Sequence, residues 1–284
     1  MTTNDPLVST QWLREHLGDP AVRVVDAAYR MPAMRPPTAS EEYAARHIPG
    51  AVFFDVDQIA DRSSPLPHML PQADQFARDA GSLGIGNDNL VVIYDRGDYM
   101  GAPRAWWMFG VFGHDRVKVL DGGLKKWLAE GGAVESAAVT PVPKAYQARF
   151  DGHRVRDLED LRKNSESGSE QVIDARSRER YEGTAPEPWP GRRSGRIPGS
   201  LNVPFTDVID PATGEMRSAN ELRTIFSAAH ADLARPIVTS CGSGVTAGVL
   251  SLALARLGVD SALYDGSWAE WGLPDGPPVA TGKP

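Results

Sequence analysis

The residue of this sequence best suited to covalent chemistry is Cys241, the only cysteine among its 284 residues. It follows the apolar, β-branched run PIVTS and precedes the segment GVTAGVLSLALARLG, whose pattern predicts a helix. The thiol is therefore expected where a strand ends and a helix begins, which is where active sites of open α/β sheets gather. Gly242 and Gly244 would let the loop turn tightly and point its backbone N–H groups inward.

Such a loop favours an anion, because inward N–H groups and a helix N-terminus both present partial positive charge. The anion at its centre would be the Cys241 thiolate, which is the nucleophilic form of cysteine. The alternative is a small buried hydrophobic residue, a common role for free cysteine. The glycine-rich turn between strand and helix favours the nucleophile.

Composition limits the possible classes of protein. The net charge of −7 argues against a general binder of nucleic acids or membrane surfaces. No apolar run approaches the ~20 residues that span a bilayer, and the start MTTNDPLVST lacks the pattern of a secretory signal. One cysteine excludes an internal disulfide and a multi-cysteine metal site. We therefore expect a cytoplasmic protein. No G-x-G-x-x-G motif follows a strand and no HExxH or P-loop pattern occurs, so we expect no metal or organic cofactor.

The chain contains an internal repeat. Four segment pairs occur in the same order, offset by about 145 to 150 residues. The pairs are VRVVDAAYR with QVIDARSRER, ARHIPGAVFFDV with SGRIPGSLNVPF, LVVIYD with RPIVTSC, and KVLDGGLKKWL with ALYDGSWAEWG. The sequence therefore predicts two copies of one domain.

Each copy alternates short β-branched runs with helical stretches, which predicts an α/β fold of two tandem domains, each a parallel sheet flanked by helices. VVD, VVIYD, VKVL, VID, PIVTS and ALY are the predicted strands, and GAPRAWWMFGVFG and VTAGVLSLALARLG the clearest helices. The stretch Ser136–Gly152 contains prolines and little periodicity, which is typical of a linker. We place the N-terminal domain at 1–140, the linker at 141–155 and the C-terminal domain at 156–284.

The two copies differ at the position of the thiol. The first copy has Asp95, within YDRGDYMGAPR, where the second has Cys241. An aspartate cannot act as a thiol nucleophile, so we expect the C-terminal domain to be catalytic and the N-terminal domain to be a non-catalytic scaffold.

Together these segments resemble the two-domain rhodanese-like sulfurtransferases. The resemblance rests on CGSGVTA, on RHIPGA and GRIPGS near the start of each domain, and on APRAWWMFGVFGH and YDGSWAEW. It runs from about Leu7 to Leu273. The neutral CGSGVT loop resembles the 3-mercaptopyruvate sulfurtransferase type, whereas the thiosulfate type has basic residues after the cysteine.

The resemblance implies that Cys241 accepts sulfur from 3-mercaptopyruvate as a persulfide and passes it to a thiol, such as a thioredoxin-like dithiol, or to cyanide. It assigns Arg180, in RERYEGTAPEP, to the substrate carboxylate, which suits the bidentate fork of arginine. The alternative is a surface arginine in a charged run. Ser243 would polarise the substrate carbonyl or relay a proton, unless it only bonds its own backbone. The backbone of Gly242, Gly244, Val245 and Thr246 would complete the anion cradle.

Two positions depart from the family pattern. Relatives of the mercaptopyruvate type carry a second arginine directly after PEP, where this chain has Trp189, and Arg192 or Arg193 could take its place. His47 matches a histidine that some relatives use in a relay with serine and aspartate. The expected aspartate is missing upstream and Glu41 or Glu42 is the nearest acid, so a structural histidine is the favoured interpretation.

Three other functions also use a reactive cysteine of this kind. A cysteine phosphatase needs an arginine six residues after the cysteine, and here that residue is Ala247. A thiosulfate:cyanide sulfurtransferase on the same scaffold stays open, as does a persulfide carrier or redox module without multiple turnover. The sulfurtransferase and carrier functions predict a small-molecule sulfur donor and a thiol or cyanide acceptor as partners. None of them predicts binding to nucleic acid or to a membrane.

Overall fold

The fold is taken from a computed structural model in which residues 5–31, 36–136 and 139–283 are described. The chain forms two compact units, which we call the N-terminal and C-terminal domains. The N-terminal domain comprises the described residues of Met1–Arg62, Leu70–Asp151 and Pro211–Glu215. The C-terminal domain comprises those of Ser63–Met69, Gly152–Asp210 and Met216–Pro284.

Each domain contains one five-stranded sheet. The strands are β1 (Leu7–Val8), β2 (Val22–Asp26), β3 (Val52–Phe53), β4 (Leu90–Tyr94), β5 (Val117–Leu120), β6 (Val155–Arg156), β7 (Gln171–Asp174), β8 (Leu201–Asn202), β9 (Ile237–Ser240) and β10 (Ala262–Tyr264). Their order is β1-β5-β4-β2-β3 in the N-terminal domain and β6-β10-β9-β7-β8 in the C-terminal domain. Since β6 to β10 repeat the order of β1 to β5, the predicted duplication and α/β class are confirmed.

All the strand pairs within the two sheets are parallel. The register places Val24 beside Val92 in the first sheet and Val172 beside Val238 in the second. Parallel pairing requires crossover connections, and the helices supply them. It also places the carboxyl ends of β4 and β9 at equivalent edges of their sheets.

The helices flank the sheets. They are α1 (Thr10–His16), α2 (Ala39–Ala45), α3 (Ala73–Ser82), α4 (Ala102–Val111), α5 (Gly123–Ala129), α6 (Leu158–Ser167), α7 (Arg178–Glu182), α8 (Ala219–Ala228), α9 (Ala247–Arg256) and α10 (Ser267–Trp271), with single 3-10 turns at Gly152–Arg154 and Phe205–Val208. The two helices predicted most clearly from the sequence correspond to α4 and α9. No helix in the described residues is long and apolar enough to cross a membrane.

The segment that carries Cys241 in the C-terminal domain lies between a strand, β9, and a helix, α9, that are buried along most of their length. Every residue of β9 is buried, which is why its sequence is a continuous apolar and β-branched run instead of an alternating one. In α9 all residues from Ala247 to Leu254 are buried. A helix that is apolar on every side must pack inside the fold, so β9 and α9 hold the loop between them rigidly.

The described part of the predicted linker is ordered against the N-terminal domain. Lys144 N–H donates to the carbonyl of Gly81 at 3.0 Å, and Asp151 N–H donates to the carbonyl of Val111 at 2.7 Å. The ring of Tyr146 packs edge-on against Phe76. Ala137 and Ala138 of this stretch lie outside the described residues.

Candidate active site

Cys241 lies at the first position after β9, with α9 beginning six residues later. The residue is 2% exposed, and its Sγ accepts a hydrogen bond from Gly244 N–H at 3.1 Å. Gly244 has a φ of +80°, a conformation that favours glycine because it has no Cβ. This left-handed turn folds the chain back so that a backbone N–H reaches the sulfur. The predicted location of the thiol is confirmed.

Further backbone donors follow Cys241 along the loop. The N–H groups of Gly242, Ser243, Val245 and Thr246 donate to no acceptor within the described residues. The Ser243 side chain is also buried, and its hydroxyl bonds no group in that part of the chain. Buried donors without partners are costly unless a ligand or water satisfies them. The loop can therefore bind an anionic group next to Sγ.

The α10 segment holds the loop in place. Cys241 N–H donates to Ser267 Oγ at 3.2 Å, and that hydroxyl donates to the carbonyl of Tyr264 at 2.8 Å. The carbonyls of Cys241 and Gly242 accept hydrogen bonds from Trp268 N–H at 3.0 Å and Ala269 N–H at 2.7 Å. Sequence reasoning did not identify Ser267 as a support. The signal was its place in YDGSWAEW, the segment shared by both copies.

Arg180 lies against the loop. It belongs to α7, a one-turn helix that follows β7, and its side chain is 23% exposed. A Cβ added to Gly242 would lie 2.8 Å from Arg180 Nη2, so only glycine leaves room for the guanidinium here. The structure thus brings Arg180, Gly242 and Cys241 together.

A chain of buried charges positions Arg180. Its Nη2 donates to Glu187 Oε2 at 2.6 Å, while Glu187 Oε1 accepts from Arg176 Nη1 at 2.8 Å. Arg176 Nη2 in turn donates to Asp174 Oδ2 at 2.6 Å. The Glu187 and Arg176 side chains are 1% and 0% exposed. Sequence reasoning grouped Arg176 with a charged surface run and did not single out Glu187. Their pairing depends on the tertiary fold.

The two arginines considered as a second substrate ligand have different environments. Arg193 Nη2 donates to the carbonyls of Trp271 at 2.9 Å and Pro277 at 2.7 Å, so it stabilises the chain after α10. Arg192 Nε donates to the carbonyl of Ala269 at 2.8 Å and its Nη1 to that of Pro190 at 3.0 Å. Arg192 therefore binds the residue that supports Gly242.

Trp189 has a packing partner of its own. Its ring makes an edge contact with His68, with centroids 5.9 Å apart. Both residues belong to the C-terminal domain, since 63–69 is one of its segments. The contact attaches that short segment beside the Glu187 region.

His47 is buried within the N-terminal domain, at 0% exposure. Its Nδ1 lies 2.8 Å from the carbonyl of Tyr43, its ring stacks on the Tyr43 ring, and its Nε2 lies 3.5 Å from Glu135 Oε1. The acid that faces it is thus Glu135, while Glu42 pairs with Arg30 and Glu41 caps α2. These contacts agree with a structural histidine, and the relay with Ser243 stays a prediction.

The matching loop in the N-terminal domain is bonded to a carboxyl group, that of Asp95, where the other domain has the thiol. Asp95 Oδ1 accepts from Gly97 N–H at 2.9 Å, and Oδ2 accepts from Ala102 N–H at 3.2 Å. The carboxylate thus accepts the loop hydrogen bonds where the other domain has a sulfur. Burial raises the pKa of Asp95 to about 7, and the charge of Asp98 adds to this shift.

No group of three or more histidine, cysteine, aspartate or glutamate side chains suited to hold a metal occurs among the described residues.

Fold and site define a class: tandem α/β domains of which one carries a cysteine in a loop between a strand and a helix. The rhodanese-like domain family matches residues 9–130 and 157–273, and the chain belongs to this family. It is 44% identical to human 3-mercaptopyruvate sulfurtransferase, covering 93% of this chain and 91% of that one. It is also 44% identical to bovine (Bos taurus) thiosulfate sulfurtransferase, with the same coverage.

A solved structure agrees. The crystal structure of SseA from Escherichia coli, described as a 3-mercaptopyruvate sulfotransferase, superposes with a TM-score of 0.85 at 40% identity, covering 93% of this chain and 98% of that chain. The predicted family and the predicted fold of each domain are therefore confirmed.

Proposed function

We propose that this protein is a sulfurtransferase that moves sulfur from 3-mercaptopyruvate to a thiol or cyanide, through a persulfide on Cys241. The observation that carries the proposal is the position of Cys241 Sγ, which accepts one loop N–H. The loop continues with several N–H groups that donate to no acceptor among the residues that the structure describes. A thiolate and a persulfide anion need the same donors, so one loop can stabilise both. Relatives named for mercaptopyruvate and thiosulfate sulfur transfer support the reaction class.

The proposed first step is attack of the Cys241 thiolate on the sulfur of 3-mercaptopyruvate. An S–S bond forms, the C–S bond breaks, and its electron pair goes to the substrate C3 as the enolate of pyruvate. The proton of the substrate thiol ends on C3, which gives pyruvate and leaves the persulfide anion. The Ser243 hydroxyl would donate to the substrate carbonyl oxygen, where the enolate charge develops.

In the second step an acceptor attacks the outer sulfur. A thiolate acceptor becomes a persulfide and cyanide becomes thiocyanate, and in both cases the Cys241 thiolate returns as the leaving group. Arg180 would bind the substrate carboxylate through the donors that Glu187 leaves free. The backbone of Gly242, Gly244, Val245 and Thr246 would hold the sulfur anion. A thioredoxin-like dithiol, a cytoplasmic location and the domain boundaries stay predictions.

Thiosulfate is the alternative donor, because relatives of both names share the same identity with this chain. The loop itself favours mercaptopyruvate, since Gly242, Ser243 and Gly244 supply no side-chain cation for a dianion.

The test is steady-state turnover with each donor, with cyanide as the common acceptor, for the wild type and for Cys241→Ser. We expect kcat/KM for mercaptopyruvate to exceed that for thiosulfate by at least about tenfold, a gap of about 1.4 kcal/mol, and Cys241→Ser to be inactive. Preference for thiosulfate would contradict the donor assignment. Labelling of Cys241 with sulfur but no turnover would instead indicate a persulfide carrier.

A further inference from the structure

The N-terminal domain has a cavity at the edge of its sheet that corresponds to the Cys241 edge of the other sheet. In the strand order β1-β5-β4-β2-β3, the chain leaves β2 toward β3 and leaves β4 toward β5, so the loops after β2 and β4 diverge. A crevice forms at such a point in an open α/β sheet, and ligands of these folds bind there. Tyr29 follows β2, Arg96 follows β4, and both line the cavity. Its volume is about 540 Å³, within the range of about 300–1,000 Å³ that is usual for small-molecule sites.

The charged side chains of this cavity are mostly positive. Four cations and two carboxylates line it, which gives the lining a formal charge of +2 in a chain of net charge −7. A local excess of positive charge raises the concentration of anions in a cleft. The charged residues are Arg30, Arg46, Arg96, Lys125, Glu42 and Asp98.

Two of the four cations are available to a ligand. Arg30 and Arg96 already have carboxylate partners within the domain. The side chains of Arg46 and Lys125 have neither an ion pair nor a hydrogen bond among the described residues, and both residues are exposed. An anion can therefore bind these two side chains without first breaking an internal ion pair.

The loop beside this cavity differs from the loop around Cys241. The carboxyl group of Asp95 accepts the N–H groups of Gly97 and Ala102, so these backbone donors are already engaged. Gly97 also leaves room for the stem of Lys125, since a Cβ added to Gly97 would lie 2.8 Å from the Cβ of that lysine. Recognition of an anion in this domain therefore depends on side-chain cations, whereas the C-terminal domain offers backbone N–H groups.

Apolar side chains form much of the remaining wall. Met31, Met100, Leu124 and Leu128 line the same cavity. Small-molecule sites typically combine an apolar lining with a few polar groups that fix the orientation of the ligand. The lining therefore suits a molecule that has a hydrophobic body and an anionic end.

We propose that this cavity is a second binding site, which takes a small organic anion with a hydrophobic body and binds its charged group through Arg46 and Lys125. Two available cations match a doubly charged group such as a phosphate monoester. The matching loop has Asp95 in place of the cysteine, so the ligand is bound and does not receive sulfur. The proposal is independent of the sulfur donor and of turnover at Cys241.

The first test is titration calorimetry with phenyl phosphate, which has an aromatic ring and carries two negative charges at pH 8. We expect saturable binding that Arg46→Gln and Lys125→Gln each weaken about threefold, and that the double variant weakens about tenfold. Arg78→Gln is the matched control, because it removes one exposed cation of the same domain that does not line the cavity. It should bind the probe as the wild type does. Equal affinity of the wild type and the double variant would overturn the proposal.

The second test distinguishes this cavity from the loop around Cys241. Arg180→Gln should leave the affinity for phenyl phosphate unchanged, whereas loss of binding in this variant would place the probe at the Cys241 loop and contradict the proposal. Phenol lacks the charge and inorganic phosphate lacks the ring, so each should bind at least about tenfold more weakly than phenyl phosphate. If either of them bound as tightly, the ligand class inferred from the lining would be wrong. None of these measurements uses sulfur transfer, so their outcome is separate from that of the proposed function.

Discussion

At the scale of single residues, the loop depends on two glycines that have no side chain, Gly242 and Gly244. Gly242 contributes no side chain, and Arg180 lies in the space this leaves. Gly244 adopts a positive φ and turns its N–H toward Sγ. The two glycines therefore have different tasks, since one admits a cation and the other delivers a backbone donor.

Gly242→Ala is expected to displace Arg180 and leave the fold intact. The new Cβ would meet Nη2 at 2.8 Å, and the far end of a flexible side chain can move away. Loss of a charged hydrogen bond to substrate is worth about 1.5–3 kcal/mol, so kcat/KM for mercaptopyruvate should fall at least about tenfold. The thermal midpoint should change little. In an Arg180→Ala background the same substitution should have almost no further effect, and additive losses would contradict this explanation.

At the scale of elements, the site depends on segments that the chain brings together from far apart. The end of β7 supplies Asp174, α7 supplies Arg180, and α10 supplies Ser267. Glu187 connects the first two through Arg176. Each contact is made by a side chain whose partner cannot be inferred from spacing.

Glu187→Gln should destabilise the C-terminal domain. The change removes one carboxylate from between two guanidinium groups, and breaking a buried ion pair costs about 3–5 kcal/mol. We expect a clear drop in the urea midpoint together with a raised KM, because Arg180 loses its anchor. Glu166→Gln, on the exposed end of α6, is the control and should shift stability by less than about 0.5 kcal/mol. Similar midpoints for both variants would show that the charge chain contributes little.

Ser267→Ala should weaken the support under the loop. The variant leaves the N–H of Cys241 buried without its acceptor, which costs about 1–3 kcal/mol. Turnover should fall with mercaptopyruvate and thiosulfate alike, because the nucleophile is misplaced for any donor. Ser251→Ala removes another buried hydroxyl, bonded to Thr239 in the interior. If that variant lost turnover to the same degree at equal stability, Ser267 would have no particular role in positioning Cys241.

At the scale of the whole molecule, the two copies share one architecture but differ at one position, where the C-terminal copy has Cys241 and the N-terminal copy has Asp95. Both sheets share one strand order. Both loops are held by a main-chain hydrogen bond from the helix that follows the next strand, from Leu124 of α5 to Asp95 and from Trp268 of α10 to Cys241. The N-terminal loop is satisfied by its own carboxylate. The Asp95 carboxyl group is buried, so its ionisation in the folded state is unfavourable. This free-energy cost should appear in the pH dependence of the protein's stability.

Asp95 predicts a pH dependence of unfolding. Its pKa is raised from 3.8 to about 7 in the folded state, so the folded protein binds the proton more tightly than the unfolded chain. Its contribution to stability is thus present at low pH and is lost as the pH rises from about 4 to 7. Relative to Asp95→Asn, the wild type should lose up to about 4 kcal/mol across this range. Calorimetric unfolding at pH 4.5, 6 and 8 measures the difference, and parallel pH profiles for the two proteins would refute it.

The sequence determined the duplication, the α/β class and the place of Cys241. These features follow from local sequence patterns, namely β-branched runs, apolar helical segments and a glycine-rich turn. Such patterns predict structure because strand and helix formation depend on residues that are close together in the sequence. The loop glycines Gly242 and Gly244 were predicted from the tight turn, Arg180 was predicted from the family resemblance, and the structure places Arg180 against Gly242.

Only the tertiary structure decided which charges are used and which stay free. Glu187, Ser267 and Glu135 face partners distant in the chain or in other elements, and Arg192 differs from Arg193 only in what lies beside it. Side-chain pairing depends on how elements pack, and packing is set by the burial of the whole core. Arg176, Arg178 and Arg180 look alike as letters, yet the fold buries Arg176 between Asp174 and Glu187, pairs the exposed Arg178 with Asp207 and places Arg180 against Gly242.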